Sequence, residues 1–114
     1  MEDCIFCKIV SGEIPCKKVY EDDLVLGFYD VNPAAPTHVL VVTKKHIPDI
    51  MHLSKEDMDC TAAAIRAVQK IAGELNLAQD GFRVVINTGK MGGQTVPHLH
   101  YHILGGRLLA WPPG

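Results

Sequence analysis

The sequence predicts an α+β domain in which a five-stranded antiparallel sheet is covered by one long and one short helix. Three observations carry this expectation. Runs rich in β-branched residues are separated by short, hairpin-like links, a single long segment has helical periodicity, and no regular strand–helix alternation suggests a doubly wound parallel sheet.

The elements follow in order. "CIFCKIVSG", residues 4–12, reads as a short helix with Ile5, Phe6, Ile9 and Val10 as apolar contacts and Gly12 as its stop. "KKVYED" and "LVLGFYD" are two strands joined by an acidic turn at Asp22 and Asp23. "NPAAP", residues 32–36, is a rigid loop because its prolines fix φ and disfavour helix before them. "THVLVVTK" then reads as a buried strand. Ser54 with Asp57 opens the long helix, about residues 55–76, whose apolar face is predicted as Met58, Ala62, Ile65, Val68, Ala72 and Leu75. After the Asp80-Gly81 turn, "FRVVIN" is a fourth strand, and a glycine loop leads to "PHLHYHIL" as a fifth, with Pro97 at its first position.

The length of 114 residues suits one domain spanning residues 1–114, with no repeat or low-complexity linker inside it. A net charge of −2 gives no basic field for nucleic acid, so an anionic ligand needs a local site. Apolar runs such as Val39–Val42 fall far short of the ~18 residues of a membrane span, and the acidic opening Met1-Glu2-Asp3 has no secretory character. A cytoplasmic protein with reduced cysteines is therefore expected. Of the four, only Cys4 and Cys7 have a telling spacing; Cys16, Cys60 and also His52 read as structural.

Side chains two apart on a strand share a face and stand ~6.6 Å apart, which puts His98, His100 and His102 on one face and Leu99, Tyr101 and Ile103 on the other, as core. Neighbouring imidazolium ions at that spacing repel by ~2.5 kcal/mol at an effective dielectric of 20, so the three share few protons near neutrality. Such a cluster suits a nucleophile or base with supporting imidazoles, and it also suits a metal site or simple packing. Spacing alone does not separate these readings.

Two loops flank the cluster. In "NTGKMGGQTVPH" the glycines, Gly93 among them, let backbone N–H groups approach a ligand, and Gln94 and Thr95 add neutral donors, an arrangement that can cradle phosphate. In "FYDVNPAAPTH", Asp30 can accept from ribose hydroxyls, Phe28 and Val31 can bound a base, and His38 can support the histidines.

Together these residues resemble the histidine-triad hydrolases, whose signature of three histidines alternating with hydrophobic residues stands here as His98-Leu99-His100-Tyr101-His102-Ile103-Leu104. The opening "IFCKIVSGEIPCKKVYEDD", "DVNPAAPTHVLVV", "KKHI", "VVIN", "GGQTVPHLHYHILGGR" and the closing "WPPG" are similar to the Hint branch, the nucleoside phosphoramidases. The resemblance implies a homodimer acting on purine nucleoside phosphoramidates and AMP–lysine adducts, releasing the nucleoside monophosphate through a nucleotidyl-histidine. It implies His100 as nucleophile, His102 and His38 as supports, phosphate contacts at Gln94 and Thr95, and phosphate or ribose contacts at Asn87 and Asp30. Thr95 replaces a frequent serine, keeping the hydroxyl and adding a methyl. Tails like the one holding Trp111 lie near the dimer's active sites in this branch.

Cys4 and Cys7 can face one side of a helical turn, which suits a metal ion. Relatives in the superfamily that keep such a pair use it with two distant histidines to hold structural zinc. The matching positions are His46 and His98, and if His98 is a ligand its role is to pin the strand that carries His100. Two further readings stand beside the phosphoramidase: a dinucleoside polyphosphate hydrolase with the same nucleophile, and a nucleotide-binding or protein-interaction module with little turnover.

Overall fold

The computed structural model describes residues 3–114, so Met1 and Glu2 of the acidic opening lie outside the described residues. The elements run α1 (Ile5–Ser11), β1 (Lys18–Glu21), β2 (Val25–Tyr29), β3 (Thr37–Thr43), α2 (Met58–Glu74), β4 (Arg83–Val85) and β5 (His100–Gly105). The strands form one antiparallel sheet in the order β1-β2-β3-β5-β4. This is the α+β architecture the sequence predicts.

β3 lies at the centre because both its faces are apolar. Val39 and Val41 point to one side, where they join Val25, Tyr101, Ile103 and the buried stripe of α2. Leu40 and Val42 point to the other, where they pack with Leu26, Phe28 and the Phe6 of α1. The sheet is thus sandwiched, with the long helix on one face and the short helix on the face that carries the histidines. Asp22 makes the β1–β2 turn by accepting from the backbone N–H groups of Leu24 at 2.8 Å and Val25 at 2.9 Å.

Four expectations need correction. The long helix is preceded by a separate 3-10 turn, Lys55–Asp57, in which the Asp57 carboxylate accepts from both the backbone N–H and the hydroxyl of Ser54. Its buried face is Cys60, Ala64, Ala67, Val68, Ile71 and Ala72, whereas Met58 and Ile65 are 46% and 47% exposed and Ala62 faces outward. The bulk of Met58 and Ile65 drew the predicted face around the helix. The sheet instead receives the alanines, which let α2 approach closely: a Cβ on Gly27 of β2 would stand 2.9 Å from Ile71 Cδ1.

The fourth strand is shorter than the six residues predicted, and the fifth begins at His100 rather than Pro97. Before it the chain bends, with His98 N–H donating to the Val96 carbonyl at 2.8 Å and Leu99 N–H to the Ile47 carbonyl at 2.6 Å. His98 therefore precedes the histidine strand instead of belonging to it. Among the described residues, no helix is long and apolar enough to cross a membrane.

Candidate active site and metal centre

The β3–β5 pairing builds the first site. Leu40 faces His102 and Val42 faces His100 across the ladder, so both histidines emerge on the α1 side of the sheet. His38, two residues before Leu40, completes the group: His38 Nε2 lies 2.9 Å from His102 Nδ1 and 3.5 Å from Asp30 Oδ2. Asp30 is held at the end of β2, its other oxygen accepting from Asn32 N–H at 2.8 Å.

The backbone partners assign the proton positions. The Ala34 N–H donates to His38 Nδ1 at 3.0 Å, so in the neutral ring His38 carries its proton on Nε2 and donates it to His102 Nδ1. His102 then carries its own proton on Nε2, a buried atom with no partner in the structure. His100 is the opposite tautomer. Its Nδ1–H donates to the His98 carbonyl at 2.6 Å, which leaves Nε2 as a bare lone pair.

Burial favours these neutral forms. It depresses His100 and His38, the latter against the pull of Asp30, and with the neighbouring His100 and His38 it takes His102 down to about 4.

The second cluster lies beside the first. Cys4 and Cys7 are one turn apart at the start of α1, where Cys7 N–H donates to Cys4 Sγ at 3.4 Å. His98 Nδ1 is 3.2 Å from Cys4 Sγ and 3.6 Å from Cys7 Sγ, and His46 Nδ1 is 3.3 Å from Cys7 Sγ. One donor atom from each residue lies within 4.8 Å of the other three. A tetrahedral ion with bonds of ~2.3 Å to sulfur and ~2.05 Å to nitrogen requires S···N edges of about 3.6 Å, so the four donors fit such an ion with small adjustments.

The supporting bonds fit too. His98 Nε2–H donates to the Thr43 carbonyl at 2.6 Å, which turns the Nδ1 lone pair toward the sulfurs, the usual outer bond of a metal-bound histidine. Burial, followed by the neighbouring His46 and His100, takes His98 down to about 4 and keeps it neutral, as a ligand must be. Burial raises the Cys7 thiol, with the adjacent Cys4 sulfur adding to it.

A cleft of about 930 Å³ opens against His100, within the size range of small-molecule sites. Ile5, Phe6, Ile9, Phe28, Leu40 and Val96 give it apolar walls, and Asp30, Val31 and Thr95 also line it. The structure thus brings together Asp30, Val31, Thr95 and His100 around one cavity, with His38 and His102 next to them. Asn87 is half-buried beyond β4, and Gly93 stands exposed in the loop with a φ of 83°.

Gln94 is committed to that loop. Its amide donates to the Pro48 and Val96 carbonyls at 2.7 and 3.0 Å and accepts from Gly89 N–H at 2.9 Å, so its side chain has no donor left over for an anion. Sequence reasoning also missed Phe6, read only as an apolar contact. Its ring stands edge-on to His100 with centroids 5.0 Å apart and an 83° interplanar angle. The one available signal was its position between the two cysteines.

Residues 11–109 match the family model of the HIT domain. The chain belongs to the HIT family. Among curated HIT relatives, the purine nucleoside phosphoramidase of Escherichia coli is 44% identical over 108 residues, covering 95% of this chain and 91% of that protein. A HIT family hydrolase from Legionella pneumophila superposes with a TM-score of 0.95 at 45% identity, covering 98% of this chain and all of the other. A histidine triad protein from Clostridium difficile superposes with a TM-score of 0.93 at 53% identity, covering 96% of each chain.

Proposed function

We propose that this HIT protein hydrolyses the P–N bond of purine nucleoside 5′-phosphoramidates and of AMP–lysine-type adducts through a nucleotidyl-His100 intermediate. The single observation that carries the reading is the pair of opposite tautomers: a lone pair on His100 Nε2 beside an unpartnered N–H on His102 Nε2. The E. coli relative's name supports the substrate class.

In the first step His100 Nε2 attacks the α-phosphorus, forming one P–N bond as the bond to the leaving amine breaks. That amine takes the His102 Nε2 proton as His38 passes its own Nε2 proton to His102 Nδ1, which leaves the His38–His102 pair one proton short until the second step. In the second step water attacks phosphorus, the bond to His100 breaks, and the water's proton returns to the relay. The nucleoside monophosphate leaves with no net change in the enzyme.

The cleft's apolar walls take the purine, Val31 closing one end, and Asp30 meets the ribose. Thr95 and the backbone around Gly93, with Asn87, contact the phosphate. Gln94 serves by holding the loop. Zinc is the ion we assign to Cys4, Cys7, His46 and His98, where it supplies a structural crosslink between α1, the loop after β3 and the turn before β5.

The 114 residues act as one domain, in the cytoplasm, and as a homodimer. Phe82, Val84 and Ile86 support the dimer: each is 37% exposed on or beside the edge strand β4. The deciding test incubates the protein with a fluorogenic adenosine phosphoramidate and with a diadenosine polyphosphate. Faster turnover of the phosphoramidate is expected. Preference for the dinucleotide would replace this reading with a polyphosphate hydrolase, and AMP binding without either turnover would leave a nucleotide-binding module.

A further inference from the structure

We propose that Phe6 is the positioning residue through which the Cys4/Cys7/His46/His98 cluster fixes the His100 ring and the adjoining cleft wall, so that metal loading and nucleotide affinity are coupled. The proposal rests on the reading of His100 as nucleophile in a nucleotide cleft.

The argument starts from the length of α1. Seven residues are too few for a helix that holds itself, so tertiary ties must fix it. Those ties converge on the cluster: Cys4 is the N-cap, its carbonyl receives Lys8 N–H at 3.1 Å, and Cys7 follows one turn later. Phe6 stands between the two thiols and is buried at 6% exposure. Its ring meets three others edge-on: His100 at 5.0 Å, His98 at 5.8 Å and Phe28 at 5.8 Å between centroids.

His100 has the His102 ring beside it at 4.9 Å between centroids, and two further groups hold it from the side of α1. One is the His98 carbonyl, which accepts from Nδ1, and the other is the Phe6 ring. Both holders belong to the metal cluster's own residues or to the helical turn between them. A bound ion crosslinks α1 to His46 and His98 and so holds Phe6 against His100. Without it, the four donors are joined only by S···N contacts of 3.2 to 3.6 Å. α1 can then swing away, carrying Ile5, Phe6 and Ile9 from the cleft wall. The nucleotide loses its apolar wall, and His100 loses the edge that orients it.

The test is a thermodynamic cycle of AMP binding by calorimetry, in metal-loaded and metal-stripped wild type and Phe6→Leu, with metal content measured on each. Stripping should weaken AMP about tenfold in wild type, and metal-loaded Phe6→Leu should bind AMP about tenfold more weakly while keeping its metal. Stripping the variant should then cost several-fold less than stripping the wild type, because both changes act through Phe6 while Ile5 and Ile9 still leave the wall. The NMR resonances of the His100 imidazole should move in metal-loaded Phe6→Leu, and those of His38, which touches neither the Phe6 nor the His100 ring, should move less.

Equal effects of stripping in both proteins overturn the coupling, as does a metal-loaded variant with wild-type affinity and an unmoved His100 resonance. Where the stripped chain unfolds, that metal-loaded pair decides. A protein that binds AMP but takes up no metal also overturns it. Absence of AMP binding by the wild type would instead sink the nucleotide reading, and the His100 resonance alone would then decide whether Phe6 positions that ring.

Discussion

His38 Nε2 donates to His102 Nδ1 across 2.9 Å, and this bond sets the direction in which protons can move through the site. With Ala34 N–H occupying the far nitrogen of His38, the only N–H of the pair left without an acceptor is His102 Nε2. The relay therefore has one outlet, and the lone pair of His100 lies outside it.

His100→Ala is expected to reduce phosphoramidate turnover to the uncatalysed rate while the protein remains folded by circular dichroism. In acid-quenched wild-type reactions, mass spectrometry should find a nucleotidyl adduct on the peptide holding His100. Turnover by the variant, or an adduct elsewhere, would remove the nucleophile assignment.

His38→Ala should lower kcat by about 10²-fold or more with little change in KM, since it disables proton delivery rather than binding. The loss should be largest for alkylamine leaving groups and smallest for a leaving group that departs without a proton. An equal loss across leaving groups would argue for a purely structural His38.

Metal analysis of untagged protein should find one zinc per chain, with Cys4 and Cys7 slow to react with a thiol reagent until a chelator is added. His46→Ala should cut metal affinity and lower Tm, because it removes one of four ligands and its tie to α1. Full thiol reactivity before chelation would count against the site.

The pH dependence of stability has a defined sign. Burial and its histidine neighbours hold His102 at about 4 in the folded chain, against ~6.5 when unfolded. The unfolded state takes up the proton first, so this contribution is complete above about pH 6.5, falls as pH drops, and is gone below about 4. Glu21 and Asp57, both held at about 2 by hydrogen bonds from lysines, act in a lower window, between ordinary carboxylate values and about 2. Denaturant midpoints across pH 4 to 6.5 should fall less steeply in His102→Gln than in the wild type. Parallel slopes would show that His102 titrates normally.

Deleting residues 110–114 should change the ranking of leaving groups more than it changes Tm. Trp111 is 81% exposed, and the chain before it is tied by Arg83 Nη2 donating to the Leu109 and Ala110 carbonyls, at 3.3 and 2.9 Å. Unchanged kinetic ratios would exclude the tail from substrate choice.

Much of this molecule was legible because strong local patterns coincide with its tertiary roles. The strands and the Cys4-to-Cys7 turn follow from period and spacing, and the alternation of His100 and His102 with Tyr101 and Ile103 separates site from core. Residue size is a poor guide to the α2 face, because the helix must sit close to the sheet. The alternating pattern carries no mark of the bend before β5, where bonds to Val96 and Ile47 hold His98 off the strand. Gln94 looked like an anion donor for a similar reason: its three backbone partners come from Pro48, Val96 and Gly89, and the Pro48 bond spans 46 positions.

The β3–β5 pairing carries a consequence for the order of folding. β1, β2 and β3 form a meander of near neighbours and α2 is local, so these can assemble early. His38 and His102 are separated by 64 positions, and their meeting requires closure of a long loop after everything between them has been accommodated. Half-formed chains therefore hold the histidines apart, and formation of the His38–His102 contact during refolding marks the arrival of β5 beside β3.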